Sequence, residues 1–417
     1  MYSDVLIVGG GMAGSALGCA LATSSLFSKI TVIDTTPIPK APENEVPDPR
    51  CVTLTPISQK FMRSIGTWNL IEEKRRAGFK EMKVWDYYGT GSMLFEDSYG
   101  WVLENKAITH ANMTRLSQFP NVEILAPAKV KGFSVRTGEV EVELEDGQKL
   151  TTSLVVGADG KESKVRNDFK IGAWRSTYPH CGLVCTVKAD NKVPTAYQRF
   201  LKTGPIALLP FWDDYYSIVW SLPPLEAERL KKIPPAQFIE ELNKALHDPS
   251  IVSFPVSTQL DAPMIREITT DRFSFPYALQ HASKFVDSRV ALIGDAAHTI
   301  HPMAGQGYNL GVYDVINLAH DLCEAAKVGK DPGSLMSLEN YATRSRLYNT
   351  LFAGFEQFIL WNYTDFGLIH YWRNANFSLI NNIPPLKSLF QAGANGTYYV
   401  PSHWSWVSEM PPEEIPF

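Results

Sequence analysis

Three runs of small and acidic residues, far apart in the chain, carry residue types that can hold a phosphorylated ligand. The first is Gly9-Gly10-Gly11-Met12-Ala13-Gly14. Its spacing is G-x-G-x-x-G, in which the first glycine permits a tight turn, the second lets backbone approach a pyrophosphate, and the third lets a helix pack close to a strand. A pyrophosphate there would sit on the unpaired N–H groups of a helix start, where the dipole favours an anion by ~0.3–1 kcal/mol. Asp34, 20 residues beyond Gly14, is placed to accept from ribose hydroxyls in a charge-assisted bond of roughly 1.5–3 kcal/mol. The second run is Gly157-Ala158-Asp159-Gly160, with Ser163 and Arg166 one turn later. The third begins Gly294-Asp295-Ala296-Ala297-His298 and runs through His301-Pro302-Met303-Ala304-Gly305-Gln306-Gly307 to Asn309, Gly311 and Asp314. A Gly-Asp at a strand end can bind a polyol hydroxyl through its carboxylate. The small residues Ala304, Gly305 and Gly307 then let backbone N–H groups line a flat ring and stabilise negative charge developing on it. Two other chemistries lack parts. His298 and His301 have no carboxylate or thiol nearby to complete a four-ligand set, so no metal is expected. No G-x-S-x-G elbow supports a serine hydrolase.

Each run follows an apolar stretch suited to a buried parallel strand: Val5–Val8, Leu154–Gly157 and Val290–Ile293. Ser15 to Ala22 has helical composition, and Ile30–Ile33 forms the strand that ends at Asp34. Val140–Leu144 alternates with period two, turns at Asp146-Gly147 and returns through Lys149–Thr152, as a hairpin should. The 24 uncharged residues from Val5 to Ser28 could pass for a membrane span or signal peptide by length. They hold Gly9, Gly10, Gly11, Gly14 and Gly18 and follow Met1-Tyr2-Ser3-Asp4, with no cationic leader, so the expectation is strand-turn-helix and no presequence. The chain has 417 residues and a net charge of −5, which gives no basic field for nucleic acid. Its five cysteines include no CxxC pair, which points to a reducing compartment; Cys181 and Cys185 read as buried thiols.

Taken in order, the three runs resemble the group A FAD-dependent aromatic monooxygenases. The segment His301 to Asp314 matches His-Pro-x-Ala-Gly-Gln-Gly-x-Asn-x-Gly-x-x-Asp, which marks the ubiquinone-biosynthesis hydroxylases within that group. Arg50 with Thr53-Leu54-Thr55, Gly66-Thr67-Trp68, and the stretch from Gln198 to Pro210 are also similar to that branch, above all to the mitochondrial ring (C5) hydroxylases of coenzyme Q synthesis.

The resemblance implies an α/β fold of the para-hydroxybenzoate-hydroxylase type. Residues 1–171 and 286–350 would form a Rossmann-like FAD-binding domain. Residues 172–285 would be an inserted antiparallel-sheet substrate domain, and 351–417 a helical, aromatic-rich C-terminal region. FAD would be held by Gly9, Gly11, Gly14, Asp34 and Arg50 on its ADP half, with Asn105 and Val130 alongside. Asp159 would face the cofactor, Asp295 would bind the ribitol, Pro302 would lie at the flavin face, and Gly305, Gln306 and Gly307 would meet the ring edge. Arg199 and Trp220 are candidate substrate contacts, ordinary packing being the other reading; no catalytic side chain is named.

The implied reaction joins molecular oxygen to a lipophilic phenolic substrate, with electrons from a ferredoxin or NAD(P)H, since the single G-x-G-x-x-G is used by FAD. A quinone-biosynthesis complex and peripheral membrane contact follow from the same likeness. The location would be the matrix side of the mitochondrial inner membrane in a eukaryote, and otherwise a peripheral cytoplasmic site. A hydroxylase of a soluble aromatic and a flavin-binding assembly subunit are the alternatives. Two features depart from the branch: the stretch from His247 to Phe275 is short, and the tail after Asn395, with Tyr398, Tyr399, Trp404 and Trp406, has no counterpart. Fifteen of the last 67 residues are aromatic, against 12% overall. Phe352, Phe355, Phe358 and Trp361 recur at helical spacing, as a packing cap or as a membrane- or partner-facing surface.

Overall fold

The uncharged N-terminal run folds as strand, turn and helix. The computed structural model describes residues 2–87, 92–190, 194–248, 262–302, 305–362 and 383. The chain opens with β1 (Tyr2–Val8), α1 (Met12–Ser24) and β2 (Ile30–Ile33), then β3 (Cys51–Leu54), α2 (Pro56–Ser64), β4 (Ala77–Asp86), β5 (Ser92–Glu104) and α3 (Asn105–Leu116). It continues through β6 (Val122–Leu125), β7 (Val130–Arg136), β8 (Glu139–Leu144), β9 (Lys149–Gly157) and α4 (Lys164–Asp168). Next come β10 (Ala173–Ala189), β11 (Thr195–Leu201), β12 (Gly204–Pro210), β13 (Tyr215–Leu222), α5 (Pro224–Lys232), α6 (Pro235–His247), β14 (Ile265–Ile268) and β15 (Phe273–Ala282). The described chain closes with β16 (Val286–Asp287), β17 (Val290–Leu292), β18 (His298–Thr299), α7 (Gly307–Lys327) and α8 (Leu335–Asn362).

Eight strands form the first sheet, in the order β16-β17-β9-β1-β2-β6, with β8 on β9 and β7 on β8. The pairs β1–β2, β1–β9, β2–β6 and β9–β17 are parallel. Val5, Leu6, Ile7, Ile30, Val155, Val156 and Leu292 are all buried here, which is why these strands read as continuous apolar runs. Helix α1 packs against α3 and α7. Its buried face is made largely of Ala, Gly and Leu, so it can approach its neighbours closely.

The second sheet has the order β18-β15-β10-β13-β12-β11-β4-β5-β3, with β14 on β10. It is antiparallel except where β11 runs parallel to β4, pairing Tyr197 with Lys83. This corrects the expected partition. Strands β3, β4 and β5, within residues 1–171, belong to the second sheet, so that sheet is more than an insertion of residues 172–285. A parallel pair needs a long crossover and leaves no hairpin signature in the sequence. The face of this sheet bearing Leu183, Cys185, Ile206 and Ile218 is covered by Leu230 of α5 and by Phe238 and Leu242 of α6.

Helix α8 runs straight through residue 350, so the expected boundary between 350 and 351 falls inside one element. Apart from residue 383, everything after Asn362 lies outside the described residues, including the four tail aromatics. Among the described residues no helix is long and apolar enough to cross a membrane. All five cysteines are free, and burial pushes the Cys51 and Cys185 thiols up to about 12.

Candidate cofactor and active site

The register of the parallel sheet brings the three runs together. Val8 pairs with both Ile33 and Gly157, and Gly157 pairs with Leu292. Four strands therefore end side by side, and the residues that follow them share one edge: Gly9, Asp34, Ala158 and Ile293, with Gly294 next. Ligands of open α/β sheets bind outside the carboxyl ends of the strands. Gly9 has φ +106°, and a Cβ there would lie 2.3 Å from the Ala158 carbonyl oxygen, so only glycine passes between these strand ends. A Cβ on Gly14 would fall 1.9 Å from the Gly9 carbonyl oxygen, which fixes how closely α1 packs on its own turn. Gly11 is the opposite case: no atom lies within 4 Å of where its Cβ would be. That open space adjoins the first N–H groups of α1. A Cβ on Gly294 would lie 3.4 Å from the Ala13 Cβ, and one on Gly311 would lie 3.6 Å from the Gly294 Cα. The third run is thus seated against the first turn of α1 and the second turn of α7.

The acidic residues have distinct duties. Asp34 accepts from the Gly10 N–H at 2.7 Å through Oδ2, and from the Thr36 N–H and hydroxyl at 2.7 and 2.6 Å through Oδ1. With about four acceptor sites on a carboxylate, roughly one remains for a ligand hydroxyl. Solvent reaches Asp295, yet protein crowds it as on the wall of a cleft; that desolvation raises its carboxyl pKa, with His298 and Lys161 pulling the other way. Asp159 is turned toward α4, where it accepts from the Ser163 hydroxyl at 2.5 Å and from the Lys164 and Val165 N–H groups at 2.7 and 3.1 Å. Its carboxylate caps a helix start, and only its backbone adjoins Gly9.

Arg50 and Asn105 are neighbours: the Asn105 N–H donates to the Arg50 carbonyl at 3.0 Å. Arg50 forks onto Asp48 through Nε and Nη2 at 3.0 and 2.7 Å, and most of its side chain stays exposed. This corner is anchored by a buried ion pair, Arg75 to Glu104 at 2.5 Å, while the other Glu104 oxygen takes the Asp48 N–H at 2.8 Å. Asn105 Oδ1 is buried without a hydrogen-bond partner. Val130 is buried at the start of β7, and nearby Ala128 donates its N–H to the Asp34 carbonyl at 2.7 Å.

Pro302 closes a tight turn, its carbonyl accepting from the Gly305 N–H at 3.0 Å. Gln306 stands at the N-cap of α7, and a Cβ on Gly307 would again meet nothing within 4 Å. Met303 and Ala304 lie outside the described residues. His301 is wedged edge-to-face against Tyr178 and Tyr277, with ring centroids at 4.7 and 4.5 Å. Burial pushes its imidazole down to about 4, and the phenols of Tyr178 and Tyr277 are pushed up to about 12. Tyr277 shares a 3.0 Å hydrogen bond with Ser221 on the inner face of β13.

The structure does not bring Arg199 and Trp220 to this site. Trp220 packs with Ile218 and Leu222 under Leu230 and Phe238, on the helix-covered face of the second sheet. Arg199 is buried and donates to the carbonyls of Ala245 and Asp248 at 2.9 and 2.6 Å, tying β11 to the end of α6. Both side chains serve packing away from the cofactor edge.

Two residues that the sequence reading left without a role hold the runs together. Arg166 is fully buried and donates to the Ala296 carbonyl at 2.8 Å and the Lys161 carbonyl at 2.7 Å, clamping the second run to the third. Asp314 accepts from the Gly294 N–H at 2.9 Å and bonds His298 Nε2 at 2.5 Å, all three buried. Burial works against a charged His298, but Asp314, by charge and hydrogen bond, and Asp295, by charge, outweigh it, so the imidazole pKa is raised above 6.5. A raised folded pKa gives stability that is complete below the unfolded value and lost as pH rises through the folded value. Urea unfolding of the protein and of His298→Gln should therefore show a gap that narrows on the alkaline side; a constant gap would reject the charged pair.

These residues fit FAD. Gly11 and Gly307 leave open space at the starts of α1 and α7, where unpaired N–H groups favour phosphate and ring oxygens. The orphaned Asn105 oxygen offers an acceptor in the corner beside Arg50.

Comparison with known proteins agrees. The FAD binding domain family matches residues 2–348. The chain is 36% identical over 390 residues to the mitochondrial ubiquinone biosynthesis monooxygenase COQ6 of Xenopus tropicalis, covering 83% of each chain. It is 33% identical over 405 residues to the ubiquinone hydroxylase UbiL of Rhodospirillum rubrum, covering 95% of this chain and 90% of that one. Its fold is shared with the p-nitrophenol 4-monooxygenase PnpA of Pseudomonas putida, at a TM-score of 0.70 and 20% identity over 96% of this chain and 99% of that one. With the site's geometry and these likenesses along most of its length, the chain belongs to the ubiquinone-biosynthesis monooxygenases, FAD-dependent enzymes of the FAD binding domain family.

Proposed function

We propose that this enzyme hydroxylates the aromatic ring of a lipophilic phenol, a prenylated 4-hydroxybenzoate-type precursor of ubiquinone. The observation that carries the reading is the alignment of four strand ends, which sets the glycine turn, Asp34, Asp295 and the α7 start along one edge. FAD, when bound, supplies dioxygen activation: one oxygen atom goes to the ring and the other leaves as water, at the expense of two electrons. The protein's share is to bind, orient and exclude water. Tyr178, Tyr277 and His301 form an aromatic wall beside the loop into α7. With the imidazole pushed down to about 4 and the phenols up to about 12, all three are neutral near pH 7, which suits an apolar ring. The contribution assigned to this wall is orientation of the ring.

The electron donor is a ferredoxin or NAD(P)H, and the setting is the mitochondrial inner membrane or its bacterial equivalent, in company with other enzymes of the route. Support for peripheral membrane contact comes from α8, whose Leu347, Leu351, Phe355 and Phe358 are exposed at spacings of three and four.

The test begins with the visible spectrum of the purified protein. Reduction by NADPH and by reduced ferredoxin follows, with a prenylated 4-hydroxybenzoate present, and products are read by mass. A gain of one oxygen on the prenylated ring is expected. Turnover of unprenylated phenols alone would replace the substrate class, and a protein that takes up no FAD would sink the enzyme.

A further inference from the structure

Helix α8 bonds the third cofactor run and the strand leading into it at three points. The Tyr341 hydroxyl donates to the Leu292 carbonyl at 2.5 Å. Asn349 Nδ2 donates to Asp314 at 3.2 Å, the carboxylate that holds the Gly294 N–H and His298. Glu356 Oε2 accepts the His301 N–H at 3.1 Å, and the adjoining Gln357 donates to the Tyr178 hydroxyl. Going up the helix, the contacts reach Leu292, then Asp314, which in turn holds Gly294 and His298, and then His301. At about 100° per residue the three positions fall within an arc of about 80°, over a rise of about 22 Å. They form one polar seam on one helix face.

A helix that merely capped the core would not need this seam. Glu356 is the one charged residue in the mainly apolar stretch Leu351 to Leu360 and is only 1% exposed. Burying a carboxylate is unfavourable unless hydrogen bonds compensate, so packing alone would favour an apolar residue here. What the carboxylate does is grip the backbone where the chain leaves β18 for the Pro302 turn and the α7 start.

We propose that α8 is a splint for the cofactor segment 292–301, with Tyr341, Asn349 and Glu356 as positioning residues and Glu356 setting the entry into the 301–307 loop. This rests on the FAD site described above. Helix α8 is then part of what holds the flavin ring in place, and its exposed apolar edge and its seam lie on one rod.

The experiment measures FAD dissociation constants and bound-flavin spectra of the full chain, with melting curves of the apo-protein. Glu356→Ala should weaken FAD by about tenfold or more and alter the flavin spectrum, with apo melting lowered far less than a loss of fold. Glu356→Gln keeps an acceptor and should bind within about threefold of the parent. Equal affinity and spectrum for Glu356→Ala would overturn the splint, as would a Gln variant as weak as the Ala variant. Should Glu356→Ala not fold, Tyr341→Phe decides: a Kd raised about fivefold supports the splint and an unchanged Kd overturns it. A parent protein that takes up no FAD refutes the site itself, a result distinct from parent and variant binding it equally.

Discussion

Gly11→Val is expected to give a folded protein that no longer holds FAD. Gly11 has φ −64° and ψ −172°, an extended conformation open to valine, and no atom lies within 4 Å of its Cβ position. The substitution therefore has no clash to relieve inside the protein, and the apo melting temperature should stay close to that of the parent. Its side chain would project into the space beside the first N–H groups of α1, where a pyrophosphate would lie. A loss of at least ~100-fold in affinity, about 2.7 kcal/mol, is expected. Gly14→Val should behave oppositely, because its Cβ would fall 1.9 Å from the Gly9 carbonyl oxygen and the fold itself must give way. Melting curves and FAD titrations of the two variants separate a ligand-contact glycine from a packing glycine. Normal flavin content in Gly11→Val would reject the placement of the site.

The second large effect belongs to Arg166. Replacing it with Met keeps a long side chain in the buried space but removes two charge-assisted bonds, to Ala296 and Lys161. At roughly 1.5–3 kcal/mol each, the loss is about 3–6 kcal/mol. The Lys161 carbonyl keeps Gln280 Nε2 at 3.1 Å, which moderates that half. The Ala296 half lies beside Asp295, so FAD affinity should fall together with stability. Urea unfolding measures the first and flavin titration the second. Arg166→Lys, with one ammonium in place of the fork, should recover at most about half of the stability. A variant as stable as the parent would show that these two carbonyls find other donors.

Much of the FAD lobe was legible because its signals are local. Each run sits at the end of an apolar strand, so Gly9, Gly14, Asp34 and Asp295 could be named without knowing how the strands pair. The composition of the second sheet was not legible in the same way. Strand β4 joins β11 across more than a hundred residues, and nothing near residues 77–86 announces that partner. Arg199 and Trp220 sit on strand-like runs, which do not tell which face would lie under α5 and α6. Asp159 looked like a ligand group because Ala-Asp-Gly ends a strand; its neighbours Ser163 and Lys164 already formed a helix start in need of a cap. Glu356 did carry a sign, a lone carboxylate in an apolar helical run. Reading it required knowing which backbone lay opposite.

The register that joins Val8 to Gly157 and Gly157 to Leu292 also dictates when the site can exist during synthesis. The partners of the first glycine turn arrive some 150 and 285 residues after it, and the α7 start later still. A partial chain ending before residue 307 lacks the start of α7 and so part of the cofactor edge. FAD binding must therefore follow closure of two long loops, a slow, non-local step. Whatever stabilisation the cofactor contributes, through mass action on the folded state, reaches only a chain made past the start of α7. For this enzyme a shortage of flavin would be felt late, as a population of folded but unsealed molecules rather than as stalled early folding.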